Sequence, residues 1–347
     1  MLNSPQATEG KFSSSSDTQR MLQSALAPIQ QELVAVDGRL HEGLTDPLAQ
    51  RVAYLVAAGG KRLRPAMVLL TGKSGPSPRL AALIDAACAV ELIHTATLIH
   101  DDIIDVAALR RQQPAFHERW GTERALLTGD YLYATAFALL SRLDDAFILR
   151  VMADVCQELS RGELNEVEAR HRLDLSESEY FCIIRDKTAS LTSGCCRIGA
   201  RLGGFGEDAV KRWDAFGLNF GLAFQIVDDC LDLTGDPREL GKFTLADLDK
   251  GVLSLPMIYL AQALDAHERE RVFAPVVAQA KNGARPVPPE AVAQIARLAA
   301  ERGMIDRAMA QAMRLIGEAC ESVRGLSDGA IDCACQSLAE YAVSRRT

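Results

Sequence analysis

Along most of the chain, apolar residues recur every three or four positions, the period of an amphipathic helix, and nowhere do they alternate with period two for long enough to predict a sheet. The spacing predicts helices over 21–40, 47–58, 79–105, 129–140, 146–161 and 207–233. Ser176-Glu-Ser-Glu179 has the form of a capping box, and the helix it starts carries Asp186-Lys-Thr-Ala-Ser190. A further helix from about 245 contains Leu255-Pro256, a kink or a restart, and beyond 264 amphipathic helices alternate with a 282–289 loop and read as scaffold. Residues 1–20, polar and serine-rich, predict a disordered tail, and 21–347 a single all-helical domain.

Composition agrees with an all-α fold. Of 347 residues 48% are hydrophobic but only 5% aromatic, and plentiful Ala and Leu favour closely packed helices. The net charge of −8 leaves no basic footprint for nucleic acid. Nine cysteines, an odd number without zinc or CxxC spacing, predict reduced thiols and a cytoplasmic location. No uncharged apolar run stands out as a transmembrane span, and the N-terminus lacks a hydrophobic signal core.

Two stretches break the apolar pattern in the same way. Glu91-Leu-Ile-His-Thr-Ala-Thr-Leu-Ile-His-Asp-Asp-Ile-Ile-Asp105 ends in Asp101, Asp102 and Asp105, and the run from Phe220 ends in Asp228, Asp229 and Asp232. Carboxylates one turn apart repel each other, and late in a helix they oppose its macrodipole, so each cluster needs a cation. Six hard oxygen donors suit Mg2+, which takes a few carboxylates and leaves positions for water and phosphate.

Cations fall around these clusters in sequence. Gly59-Gly-Lys-Arg-Leu-Arg-Pro65 is a flexible turn carrying three cations, Lys61, Arg62 and Arg64, suited to close approach by a phosphate. Arg110 and Arg111 follow the first cluster and can take phosphate oxygens in pairs. His94 precedes Asp101 by two helical turns, Lys187 sits among small residues where a buried ammonium needs an anion, and Lys242 lies in a polar loop after the second cluster. This pattern predicts two diphosphate sites at the end of an apolar channel. Metal-assisted loss of pyrophosphate would give a carbocation that apolar walls shield from water.

Five motifs in order, Gly59 to Pro65, Asp101 to Asp105 with Arg110-Arg111, Lys187-Thr188, Gln225 with Asp228 to Asp232, and Gly241-Lys242, resemble those of the trans-isoprenyl diphosphate synthases, most of all the long-chain polyprenyl synthases. The resemblance covers roughly 50–260 and implies a large helical bundle of the isoprenoid-synthase type around a central cavity, usually a homodimer. It implies head-to-tail addition of isopentenyl diphosphate to an allylic prenyl diphosphate, with three Mg2+ ions once substrate is bound. Carried over by position, Asp101, Asp102, Asp105, Asp228, Asp229 and Asp232 become metal ligands or their support. Lys61, Arg64, His94 and Arg111 become the isopentenyl diphosphate contacts, and Arg110, Lys187, Thr188, Gln225 and Lys242 the allylic ones. The leaving pyrophosphate would take the final proton.

The chain departs from the family pattern at Val252, where a lysine is usual, with Lys250 as a neighbouring cation, and at Val106-Ala-Ala108, where polar residues are usual. Product length reads below the first cluster. Thr97 and Ala96 lie about 6 to 7.5 Å down the helix from Asp101, with Ile93 and Val90 deeper. Small and medium residues there leave the channel open unless Tyr133 or Phe137 closes the floor, and the resemblance of this Ile-His-Thr-Ala-Thr-Leu-Ile-His context to the long-chain synthases implies products of C20 or longer, towards C30 to C50. Two alternatives stand beside this reading: a non-catalytic subunit of a heteromeric prenyl synthase, motivated by Val252, and a class I terpene cyclase, whose second metal motif would carry Asn, Ser and Glu.

Overall fold

In a computed structural model the chain is described over residues 15–42, 54, 60–110, 113–234, 246–282, 287–327 and 329–345. The elements are α1 (Ser15–Leu26), a 3-10 turn (Ala27–Ile29), α2 (Gln30–Glu42), α3 (Leu63–Lys73), α4 (Leu80–Ile104), a two-residue hairpin β1 (Leu109–Arg110) and β2 (Gln113–Pro114), α5 (Phe116–Trp120), α6 (Thr122–Ser141) and α7 (Ala146–Ala169). Then come α8 (Glu177–Ile184), a π-helical turn (Arg185–Ala189), α9 (Ser190–Leu202), α10 (Glu207–Thr234), α11 (Ala246–Asp249), α12 (Leu255–Ala263), α13 (Ala266–Asn282), α14 (Pro289–Glu301), α15 (Met304–Ser322) and α16 (Gly329–Ser344). The fold is all-α.

Sequence expectations meet these elements with instructive differences. The 21–40 helix divides at the turn holding Pro28, which lacks an N–H to continue the ladder, and helix begins at Ser15, inside the stretch expected to be tail. The 47–58 helix lies outside the described residues except for Tyr54. Pro256 sits in the first turn of α12, so Leu255-Pro256 is a restart, where a missing N–H costs nothing. The Ser176–Glu179 capping box forms, each partner satisfying the other's backbone N–H. The short antiparallel pairing of Leu109 with Pro114 was not anticipated.

At the centre lies α9, packed against α3, α4, α7 and α10. Its run of Gly194, Cys195, Cys196, Gly199 and Ala200 is buried, and such small side chains let four helices crowd around it. Glycine is needed at two crossings in particular. A Cβ on Gly162 would strike the backbone of Lys187, and one on Gly221 would strike Ala189. Those contacts press both α7 and α10 onto the π turn. In that turn Ser190 N–H bonds back to the Arg185 carbonyl, so one residue more than in an α turn is accommodated just where Lys187 projects.

Helix α4 has the length and apolarity to cross a membrane, with a mean hydropathy of 1.6 in its most apolar window, but 61% of that window is buried inside the bundle. Its apolar character serves the core, where it lies between α3, α6 and α9. All nine cysteines are free.

Candidate active site

The acidic end of α4 acquires its cations from distant parts of the chain. Asp102 is buried and accepts the Arg110 Nε–H on both oxygens, each at 2.8 Å. Asp105, the C-cap of α4, takes Arg170 Nη2 on one oxygen at 2.8 Å and Lys250 Nζ on the other at 2.7 Å. Asp101 has no hydrogen-bond or ion-pair partner among the described residues, and burial, reinforced by Glu163, pushes its pKa up to about 7. For Asp105 burial works in the same sense, but Lys250, Lys187 and Arg170 prevail and hold it below the ordinary value.

The second cluster stands at the end of α10. Buried Asp229 accepts from Tyr180 Oη at 2.6 Å and from Gln225 Nε2 at 2.8 Å, while Thr188 Oγ1 donates to Gln225 Oε1 at 2.8 Å. Burial, then the nearby Asp247 charge, raises Asp229 well above the carboxylate range. Asp228 pairs with Arg345 Nη1 at 2.6 Å, and Arg345 also donates to the Phe224 carbonyl at 3.0 Å and lies 3.5 Å over the Phe224 ring. Buried Asp232 accepts the Asp247 backbone N–H at 3.3 Å.

Lys187 stands between the clusters. Its Nζ lies 2.8 Å from Glu163 Oε2 and also bonds Glu166. Burial alone would discourage its charge, but Glu166, Glu163 and Asp101 outweigh that and raise its pKa above the ordinary value. Burial raises Glu166 as well, with the Glu163 and Asp247 charges acting in the same sense and Lys187 against it.

The two acidic helices do not pack extensively on one another; both lie against α9, and their ends face a common cleft. It is lined by Asp105, Glu166, Lys187, Asp229, Asp247 and Lys250 among others, so carboxylates outnumber ammoniums four to two. Arg64, half-buried on α3, feels both Asp101 and Asp228, which places it along the same acidic interior. Arg64 Nη1 is 3.0 Å from His94 Nε2, its Nε has no partner, and burial lowers its pKa. The neighbouring Arg62 is committed elsewhere, to Glu91 at 2.5 Å and Asp37 at 3.0 Å. Lys61 is exposed, with Nζ 5.4 Å from the Tyr341 ring centroid. Arg111 and Lys242 lie outside the described residues.

Below Asp101, Val90, Ile93 and Ala96 are fully buried, and Thr97 Oγ1 bonds back to the His94 carbonyl at 2.8 Å. The face of α4 packs on α6, which contributes the half-buried Tyr133 and Phe137.

Several residues of the site carried no sequence signal. Glu163, Glu166 and Arg170 come from the end of α7, Tyr180 from α8 and Arg345 from beyond α16. Only Glu163 and Glu166 had a pattern to offer, an i,i+3 acidic pair facing inward. The helices beyond 264 are therefore not scaffold alone, since they deliver Arg345 to Asp228.

The donor set suits an oxygen-seeking divalent ion: carboxylates in excess, one of them unpaired and another raised by burial. Among the described residues no three carboxylate, imidazole or thiolate side chains converge tightly enough to cage an ion unaided.

The helical bundle with two aspartate-tipped helices facing an acidic cleft is that of an isoprenoid synthase. The chain belongs to the polyprenyl synthetase family, whose model matches residues 45–294, and is thereby a trans-prenyltransferase. It is 38% identical over 250 residues, 71% of this chain and 76% of the relative, to heptaprenyl diphosphate synthase component 2 of Geobacillus stearothermophilus. It is 36% identical over 255 residues, 72% of this chain and 78% of the relative, to the geranyl-diphosphate-specific all-trans-nonaprenyl-diphosphate synthase of Rhodobacter capsulatus. Its fold is similar to the crystal structure of a Caulobacter crescentus polyprenyl synthase complexed with calcium and isoprenyl diphosphate, with a TM-score of 0.88, 29% identity, and coverage of 94% of this chain and 98% of that one.

Proposed function

We propose that this chain adds isopentenyl diphosphate head-to-tail to an allylic prenyl diphosphate and releases an all-trans polyprenyl diphosphate of C20 or longer, towards C30 to C50. The observation that carries this reading is the acidic cleft around Lys187, to which α4 brings Asp105 and α10 brings Asp229 from their aspartate clusters. Bound Mg2+ would supply charge neutralisation for the departing pyrophosphate. Asp101, Asp102, Asp105, Asp228, Asp229 and Asp232 are the residues to hold it or to support those that do, and Asp101, which has no hydrogen-bond or ion-pair partner among the described residues, is the most available.

Each side chain then has a definite task. Lys187, already held in the cleft by Glu163 and Glu166, offers an ammonium to the allylic diphosphate; Thr188 and Gln225 orient Asp229 through their hydrogen bonds. Arg110 is spent on Asp102 and so acts mainly by fixing that carboxylate. Arg64 and His94, adjacent at 3.0 Å and with an unused Arg64 Nε, are suited to the metal-free diphosphate of isopentenyl diphosphate, together with Lys61. Arg111 and Lys242 complete the two sites by position in the motifs. Val90, Ile93, Ala96 and Thr97 set the depth available to the product. The enzyme works as a homodimer, an assembly supported by the exposed Leu126, Leu127 and Tyr131 on one face of α6. Nine free thiols favour a reducing cytoplasm.

The decisive assay uses the purified chain alone with isopentenyl and farnesyl diphosphates and Mg2+. Release of products longer than C15 supports the proposal, and release of C15 only would remove the long-chain part. The name of the Geobacillus relative, a component 2, favours one second reading: a subunit that turns over only beside a partner. Absence of turnover by the chain alone, with recovery on adding a partner chain, would establish it.

A further inference from the structure

Val252, where the family usually carries a lysine, lines the active cleft and brings no charge to it. The same cleft wall carries Lys250, and the way Lys250 is held indicates what replaces the missing cation. Lys250 closes the turn after α11, its N–H bonded to the Asp247 carbonyl at 3.1 Å, while the Val252 N–H returns to that carbonyl at 2.9 Å. Gly251 between them has φ +76°, and a Cβ there would run into the His171 ring, so the turn needs glycine at this point. The Gly251 carbonyl accepts the His171 N–H at 2.7 Å, which fastens the Lys250 turn to the segment carrying Arg170.

The consequence is a carboxylate with two cations. Asp105 bears a single negative charge, yet Arg170 occupies one oxygen at 2.8 Å and Lys250 the other at 2.7 Å. Arg170 alone neutralises Asp105, and its Nε is still without a partner. Lys250 is thus the second cation on Asp105, two-thirds buried, and on the lining of the cleft. An anion arriving in the cleft can take that ammonium while Arg170 keeps Asp105 paired.

Resting on the prenyl synthase reading, we propose that Lys250 is a diphosphate-contacting residue that takes over at this position from the absent lysine at 252, and that Arg170 is its positioning residue, holding Asp105 so that Lys250 can turn to the substrate without leaving a bare carboxylate. The chemical class recognised is the diphosphate of the allylic substrate, or the pyrophosphate that departs from it.

The test titrates inorganic pyrophosphate with Mg2+ into wild type, Lys250→Met, and the double variant Lys250→Met/Val252→Lys by calorimetry, and measures KM for farnesyl and isopentenyl diphosphates. Loss of one charge-assisted contact predicts a pyrophosphate Kd and a farnesyl diphosphate KM about tenfold higher in Lys250→Met, with the isopentenyl KM unmoved. Moving the lysine to 252 should restore both to within about threefold of wild type. Arg170→Met should raise the farnesyl KM while Lys250→Met/Arg170→Met adds little more. Unchanged Kd and KM in Lys250→Met, or a fall in Tm without any recovery in the double variant, would overturn the proposal and leave Lys250 a purely structural tie. A wild-type chain that binds pyrophosphate in a Lys250-dependent way but turns over no allylic primer would instead overturn the reading of the chain as a synthase active on its own and retain the clamp.

Discussion

Lys187 Nζ lies 2.8 Å from Glu163 Oε2, on a π turn that α7 approaches closely enough to require Gly162. This ammonium is therefore placed before any substrate arrives. Lys187→Met should lower kcat/KM for the allylic diphosphate by about 100-fold, the loss seen when a preorganised donor to developing charge is removed. Glu166→Gln, which leaves Glu163 to hold the ammonium, should cost far less; steady-state kinetics on both variants distinguishes position from charge.

Turnover and product length should separate along α4. Asp101→Ala is expected to abolish turnover. Ala96→Phe is expected to keep turnover and shorten the product, read by chromatography of the dephosphorylated products. Since Ala96 is fully buried, overpacking should also destabilise the fold by about 1–3 kcal/mol, and Tyr133→Ala, which opens the α6 side, should lengthen the product in the complementary direction.

Asp101 makes a prediction about pH. Its folded pKa of about 7 stands above the ordinary carboxylate value, so the folded protein holds this proton longer than the unfolded chain does. Its contribution to stability is present at low pH and fades as pH rises towards about 7, where the carboxylate becomes an unpaired buried charge. A divalent cation reverses that loss. The rise in Tm on adding Mg2+ should therefore be larger at pH 8 than at pH 6, and Asp101→Asn should flatten the difference, as thermal melts in the two buffers would reveal.

The pairing of Arg345 with Asp228 predicts a role for the residue that follows α16. Arg345→Ala should destabilise by roughly 1–2 kcal/mol, since Asp228 is partly solvated and keeps some hydration when its partner is lost. Truncation after Ser344 should match it in thermal melts, which would show that the guanidinium and not the terminal backbone is responsible.

The reach of the sequence is uneven for physical reasons. The long helices α4, α7 and α10 were legible because each keeps its apolar stripe over many turns, and the two aspartate clusters were legible because like charges at helix ends conflict with the local energetics. The partners that relieve the conflict were not. Arg170, Lys250 and Arg345 lie far along the chain from Asp105 and Asp228, and an arginine in an amphipathic segment looks the same whether it meets solvent or a buried carboxylate. Tyr180 gave no sign either, since a tyrosine on an apolar face reads as core until its hydroxyl is seen to meet Asp229. The π turn at Lys187 was invisible because its residues, Arg185 to Ala189, suit an ordinary helix equally well.

That turn gives the gene an asymmetry between kinds of mutation. A π turn houses one extra residue, so deleting any single codon within it would let α8 and α9 merge into one regular helix with every hydrogen bond made. The backbone would be content. The residues on one side of the deletion, however, would rotate by roughly 100° relative to those on the other, enough to swing an ammonium off its two glutamates or turn the small-residue face of α9 out of the bundle. In-frame loss of one codon here should be more damaging than most substitutions at the same five positions.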